Sequence, residues 1–140
     1  MSETLAAETW IYSVLSADAT LASLVSTRIY SYAAPKESSF PVVVYGVQTP
    51  SLDIVTQPLV RIASRLRYQV KAVWQGNDFV SAGAISARID ALLQAASGSN
   101  SYGVVAACYR DMPISYLEND DEGVQYSHAG GLYRIIAQAT

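Results

Sequence analysis

The segment RIASRLRYQVK, residues 61–71, most constrains what this chain can fold into. Ile62, Ser64, Leu66, Tyr68 and Val70 take one set of alternate positions and lead on to Ala72 and Trp74. Arg61, Ala63, Arg65, Arg67, Gln69 and Lys71 take the other. Side chains that repeat in twos belong to a β-strand, because successive residues leave a strand on opposite faces. This strand has one apolar face and one strongly basic face. Run from residue 59 to 74, it extends roughly 50 Å at ~3.3 Å per residue, more than a small domain needs. It therefore bends, or one end projects as an arm. Cations in a row repel each other, so the stripe Arg61, Arg65, Arg67 and Lys71 must meet something: water, a partner protein or nucleic acid.

The surrounding segments place that strand in an α+β fold. Residues 3–16 carry Ala7, Ile11, Val14 and Leu15 at helical spacing, with Thr9, Ser13 and Ser16 opposite. Asp18 is placed to N-cap a short second helix bearing Leu21, Leu24 and Val25. RIYSY (28–32) is a short alternating run whose inward side stays open, and 33–39 is a polar loop closed by Pro41. The apolar run VVVYGV (42–47) suits a strand covered on both faces. Pro50, Asp53 and Pro58 predict a loop or hairpin tip over 48–58. After a turn and cap at GND (76–78), residues 79–96 form an amphipathic helix with Ala82, Ile85, Ile89, Leu92, Leu93 and Ala96 on the buried stripe. A connector at 97–103 leads to strands over 104–116 and 124–138. In the last of these the apolar set shifts from even (Val124, Tyr126) to odd (Tyr133, Ile135, Ala137) across Gly130 and Gly131, which predicts a β-bulge there. The expected order is α-α-β-β-β-α-β-β, a mostly antiparallel mixed sheet packed with the N-terminal helices and helix 79–96, in one domain over 1–140.

Composition excludes several functions. The chain is 51% hydrophobic and 15% charged with a net charge of -3. That lean charged surface points weakly to a partner that covers part of the exterior. A net acidic protein does not coat nucleic acid indiscriminately, so any DNA contact is local. One cysteine, Cys108, rules out an internal disulfide and fits a reducing compartment. No leader-like segment and no apolar run of spanning length are evident, so a soluble, unexported protein is expected. His128 is the only histidine, which removes a paired-histidine metal site. A Cys108–His128 dyad can be drawn, but Cys108 lies mid-strand and reads as core filler, and His128 reads as a solvent-edge residue. Phosphate-loop and nucleophile-elbow patterns are absent. GSNSYG (98–103) follows a helix and precedes a strand, the reverse of a phosphate loop. No catalytic, cofactor-binding or metal-binding residues are assigned, and no cofactor is expected.

Two charged features remain. ENDDEG (118–123) brings together Glu118, Asp120, Asp121 and Glu122, but position 129 is Ala where a calcium loop needs glutamate. It reads as a solvated turn or a charged docking patch. The basic stripe has three readings. It is a solvent face paired with acids across the sheet, a DNA contact, or a contact with a second protein. DNA binding lacks an aromatic platform on the same face and any base-reading module. Protein contact is favoured by the complementary acidic segment 118–122 and by the reach of a long strand. In a head-to-tail ring, the stripe of one subunit meets the carboxylates of the next.

The segment DATLASLVSTRIYSYAAPKESSFPVVVYGV (18–47) resembles the opening of small tail-completion proteins of long-tailed bacteriophages, the tail terminators. The match lies in Asp18, Leu21, Leu24, Val25, Arg28, Ile29 and Tyr30, then Pro35 and Pro41, then Val42, Val43, Val44 and Tyr45. The long strand, the helix at 79–96 and the closing strands follow in the same order, while 118–138 has no residue-by-residue match. The resemblance implies a structural virion protein, assembled in the host cytoplasm and carrying no catalysis. Such proteins form a hexameric ring that caps the head-proximal end of the tail tube, stops its polymerisation and joins the head connector, with DNA passing through the hole. The stripe would then lie against a neighbouring subunit or the tube, or alternatively at the lumen. Another neck or head–tail adaptor component, or a small DNA-binding module using the basic face, is the alternative function.

Overall fold

A computed structural model describes residues 2–139. Helices α1 (Ser2–Ser16) and α2 (Ala19–Val25) are followed by β1 (Ile29–Ser31), β2 (Val42–Thr56) and β3 (Val60–Gln75). Helix α3 (Phe79–Leu93) then leads to β4 (Gly98–Asn100), β5 (Gly103–Asn119) and β6 (Gln125–Ala139). The strands make one sheet in the order β1-β2-β3-β6-β5-β4. Only β1–β2 is parallel; every other neighbouring pair is antiparallel. The α+β class and the element order are as the residue pattern predicts, with β4 added inside the expected connector.

Local chemistry sets the helix boundaries. Asp18 caps α2 by accepting the Leu21 N–H at 2.8 Å, and its carboxylate takes two hydrogen bonds from Arg88 on α3 at 2.8 and 2.6 Å. The Arg88 bonds, and then the Leu21 amide, hold the Asp18 carboxyl down at about 2. Asp78 caps α3 through the Ser81 N–H at 3.0 Å. The helix ends at Leu93 rather than 96. Ala95 takes a left-handed φ of 61°, and its N–H bonds Cys108 O at 2.9 Å, which turns the chain onto the sheet.

The helices cover one face of the sheet. Ile11 and Leu15 of α1 and Ile85, Ile89 and Leu93 of α3 pack on Val43, Tyr45, Leu66, Tyr68, Val70, Tyr133 and Ile135. The two largest fully buried side chains, Tyr68 and Tyr133, are cross-strand partners. The Tyr133 hydroxyl donates to Asp90 Oδ1 at 2.8 Å. On the opposite face, loop residues Ala34 and Phe40 cover only Val42, Val44 and Val73, near one end of the strands. The rest of that face has no helix on it.

Two expectations from sequence need correction. Residues 48–58 are not all loop: β2 continues to Thr56, and the irregular part is confined to 49–51, where pairing slips between Gln48 and Leu52. Nor does β6 bulge at its glycines, since β3 and β6 stay in unbroken register from Gln75↔Tyr126 to Ser64↔Ala137. The slip lies on the facing strand, where Asp111 is the extra residue between Arg110↔Tyr133 and Met112↔Leu132. The glycines serve close approach instead. A Cβ on Gly130 would lie 2.2 Å from Val70 O, and one on Gly131 2.6 Å from Arg110 Cδ.

The β2–β3 hairpin outruns the body, while β3 accompanies β6 to within a residue of the β5–β6 turn at the opposite end. Pairing of β3 with β6 stops at Ser64↔Ala137, so the β2–β3 hairpin continues beyond it as a two-stranded ribbon. The β5–β6 hairpin turns at 120–124. The outer edges are open for most of their length, because β1 pairs only with 43–45 of β2 and β4 only with 103–105 of β5. A further slip on β5 leaves Ala106 unpaired.

Candidate interaction surface

The predicted basic stripe is real over three of its four residues. Arg65, Arg67 and Lys71 lie on the helix-free face, opposite Ile136, Arg134 and Gly130 of β6. Arg61 does not join them. Pairing steps from Ile54↔Ala63 to Val55↔Arg61, so Ile62 is an extra residue and the alternation changes phase there. Arg61 turns instead toward α1, where its Nε bonds Glu3 Oε1 at 2.8 Å. Its guanidinium also lies 3.8 Å from Asp53 Oδ2. Perfect alternation in the sequence concealed the bulge, because a bulge shifts the phase without leaving a compositional mark.

The centre of the bare face is a three-residue cluster of which sequence analysis found one member. Arg67 and Arg134 stand directly opposite each other on β3 and β6, a like-charge pair that is unfavourable alone. Asp111 resolves the conflict. As the bulged residue of β5, it places one carboxylate oxygen, Oδ2, 3.1 Å from Arg67 and 3.0 Å from Arg134. The Arg134 bond is the main reason that the Asp111 carboxyl titrates below the usual range. The cluster still carries two cations against one anion, and the buried Nε atoms of both arginines lack hydrogen-bond partners. Arg134 could have been found from its place in the alternation of GLYRIIA (131–137), out of phase with Tyr133 and Ile135. Asp111 left no such sign.

Toward the β5–β6 turn, a chain of polar contacts follows. Lys71 Nζ donates to the Tyr116 hydroxyl at 2.7 Å. The Tyr116 ring stacks on His128 at 4.3 Å, and His128 Nε2 lies 2.8 Å from Glu118 Oε1. His128 is buried, 6% exposed, rather than at the solvent edge. That burial lowers its pKa below the ordinary value, against the pull of Glu118. The acidic segment is thus divided. Glu118 is engaged by His128, and Asp120 closes its own turn by accepting the Glu122 and Val124 N–H groups at 2.9 Å each. Asp121 and Glu122 stand exposed at the tip.

Cys108 lies in the core beneath the helices, and burial pushes its thiol up to about 12. The sheet separates it from His128, which faces the other way across Val73, so the two form no dyad. Among the described residues no group of three or more His, Cys, Asp or Glu side chains converges as a metal site, and no helix is long and apolar enough to cross a membrane. What the bare face offers is charge, with Arg67, Arg134 and Lys71 held by partners and Arg65 exposed, against Asp111 and Glu118, among the exposed apolar side chains of Leu52, Tyr109 and Met112.

The fold has a known counterpart. A chain of the virion of a native gene transfer agent (GTA) particle superposes with a TM-score of 0.78 over 98% of both chains, at 17% sequence identity. No curated protein matches the chain significantly. The family model described as tail completion protein gp17 matches residues 9–137. This range contains the whole sheet except its last residues, with both faces and both long hairpins. The chain therefore belongs to the tail completion protein gp17 family, structural proteins of the virion tail.

Proposed function

We propose that this protein is a ring-forming tail terminator, its 140 residues acting as one domain without catalytic activity. In this reading, copies close into a hexameric ring on the head-proximal end of the tail tube. The ring stops tube growth and presents a surface to the head connector, while DNA passes through the opening without sequence-specific contacts. The observation that carries the reading is the helix-free sheet face, which concentrates fixed cations in a chain of net charge -3. Such a face needs a complementary cover, and the exposed Asp121 and Glu122 of a neighbouring copy supply one. Arg65, Arg67 and Lys71 then lie at a ring surface, against that neighbour or the tube.

The test is imaging of tail-tube ends incubated with the protein, together with its mass in solution with and without tube protein. Capped ends and a ring-sized species are expected; a chain that stays monomeric under both conditions overturns the reading. Reversing the charge of Arg65 and Arg67 should impair ring formation or tail joining, and normal tail completion by that variant would leave the face an ordinary solvated surface. A second reading has the same face touch DNA at the lumen, favoured by its excess of cations over carboxylates. It predicts a DNA affinity that falls steeply with salt.

A further inference from the structure

The β2–β3 ribbon poses a question that the charged face leaves open. Val55, Leu59, Val60 and Ile62 are between 48 and 81% exposed, in a chain of which only 15% of residues are charged. Beyond Ser64 the ribbon has no third strand, and two strands alone are marginal in water. Exposed apolar ribbons are normally blunted with lysine or proline. The turn carries Pro58, yet Leu59, at 81% the most exposed of these side chains, stands beside it at the tip. Its φ is 75°, a left-handed conformation that glycine or asparagine adopts more readily than a branched side chain. The root is nonetheless fixed, by Arg61 on Glu3 at 2.8 Å and by the Ser64 hydroxyl on Asp53 at 2.7 Å. An apolar tip on a braced root is a preorganised ligand.

We infer that this tip docks into a hollow on a second copy of the same chain. The hollow lies on the helix-free face at the opposite end of the strands. Val42, Val44 and Val73 form its floor, Phe40 a wall, and Lys71 and Glu118 its rim. Its volume of about 300 Å³ is at the small end of ligand pockets, sized for a few side chains rather than a cofactor. Both surfaces are charge-balanced: the rim has Lys71 and Glu118, the arm root Arg61 and Asp53. Docking therefore buries no uncompensated charge, which matters between copies that are each net negative. From Leu59 to Val73 the strand runs roughly 45 Å, so a chain cannot fill its own hollow. The contact is head-to-tail and joins different surfaces on the two copies, as ring closure requires.

The inference rests on the ring reading, and its test separates the two. Leu59→Cys combined with Ala34→Cys, which lies beside the hollow, should yield disulfide-linked multimers on tube ends, with the 59–34 bridge identified by mass spectrometry. Each single variant should give none with that bridge, and Cys108 is too buried to interfere. Leu59→Asp should abolish oligomers while circular dichroism stays unchanged, because the side chain is exposed. Oligomers that form without the 59–34 bridge overturn the arm contact and leave the ring standing. Bridging of Leu59→Cys to tube protein alone makes the arm a tube anchor and overturns the self-contact. A protein that never associates overturns both.

Discussion

One residue apart on the same two strands, the sheet carries opposite solutions. Tyr68 faces Tyr133 on one side, and Arg67 faces Arg134 on the other. The tyrosine pair is fully enclosed by the helices, and burial raises both phenol pKa values. The arginine pair is half-buried and needs a carboxylate from a third strand to coexist. Area removed from water makes the first pair a source of stability, at ~25 cal/mol per Å² of apolar surface. Around the second, solvent screens the charges and leaves little net stabilisation. The strands thus separate the work of folding from that of contact, and substitutions on the two faces should differ in what they damage.

The largest effect is expected in the enclosed pair. Tyr68→Ala should lower unfolding free energy by about 3–5 kcal/mol in urea titrations, as truncation of a large buried ring does. A loss below about 1 kcal/mol would mean that the helices do not seal this face. Next comes Gly130→Ala, where the new Cβ meets the β3 backbone. Overpacking of this kind costs about 1–3 kcal/mol, and a neutral result would show that β3 and β6 lie farther apart. Tyr133→Phe removes only the hydroxyl donated to Asp90 and should cost about 1 kcal/mol.

The bare face should respond more weakly in stability. Asp111→Asn keeps the shape of the cluster but leaves Arg67 and Arg134 in mutual repulsion. The expected loss is smaller than for Tyr68→Ala or Gly130→Ala, and added salt should reduce it only in part, because the cluster is half-buried. A salt-independent loss would mark the cluster as packing rather than charge. The smallest effect concerns His128. Its folded pKa lies below the unfolded value near 6.5, so the unfolded chain binds the proton more readily. Its contribution is therefore complete above pH 6.5 and declines as the pH falls through the folded pKa. His128→Gln should flatten the stability profile in that window; an unchanged profile assigns the acid sensitivity elsewhere.

Much of this architecture was legible in the chain because the covered face imposes a period. Ile85, Ile89 and Leu93 announced α3, and Leu66, Tyr68 and Val70 announced β3, through spacings that burial enforces. Asp18 and Asp78 declared the helix starts through capping chemistry. What the sequence hid are the places where the backbone slips a residue. Ile62 and Asp111 are ordinary side chains in bulges, so Arg61 was put on the wrong face and Asp111 was missed. Gly130 and Gly131 mark close approach rather than a bulge, because tolerance of a close neighbour leaves the same trace in sequence as a bend. The phase of a strand survives in its buried residues and is lost where both faces meet water.

Those slips have a bearing on growth itself. An outermost strand with an unbroken row of amides would accept another strand, and that one a further one. Here β2 is interrupted at 49–51 and β5 at Ala106 and Asp111, and Pro113 lacks an N–H. Neither border offers a clean template, so in the proposed ring copies would recognise one another through side chains, whose complementarity runs out once every partner site is taken. A molecule proposed to end a polymer is thereby kept from seeding one.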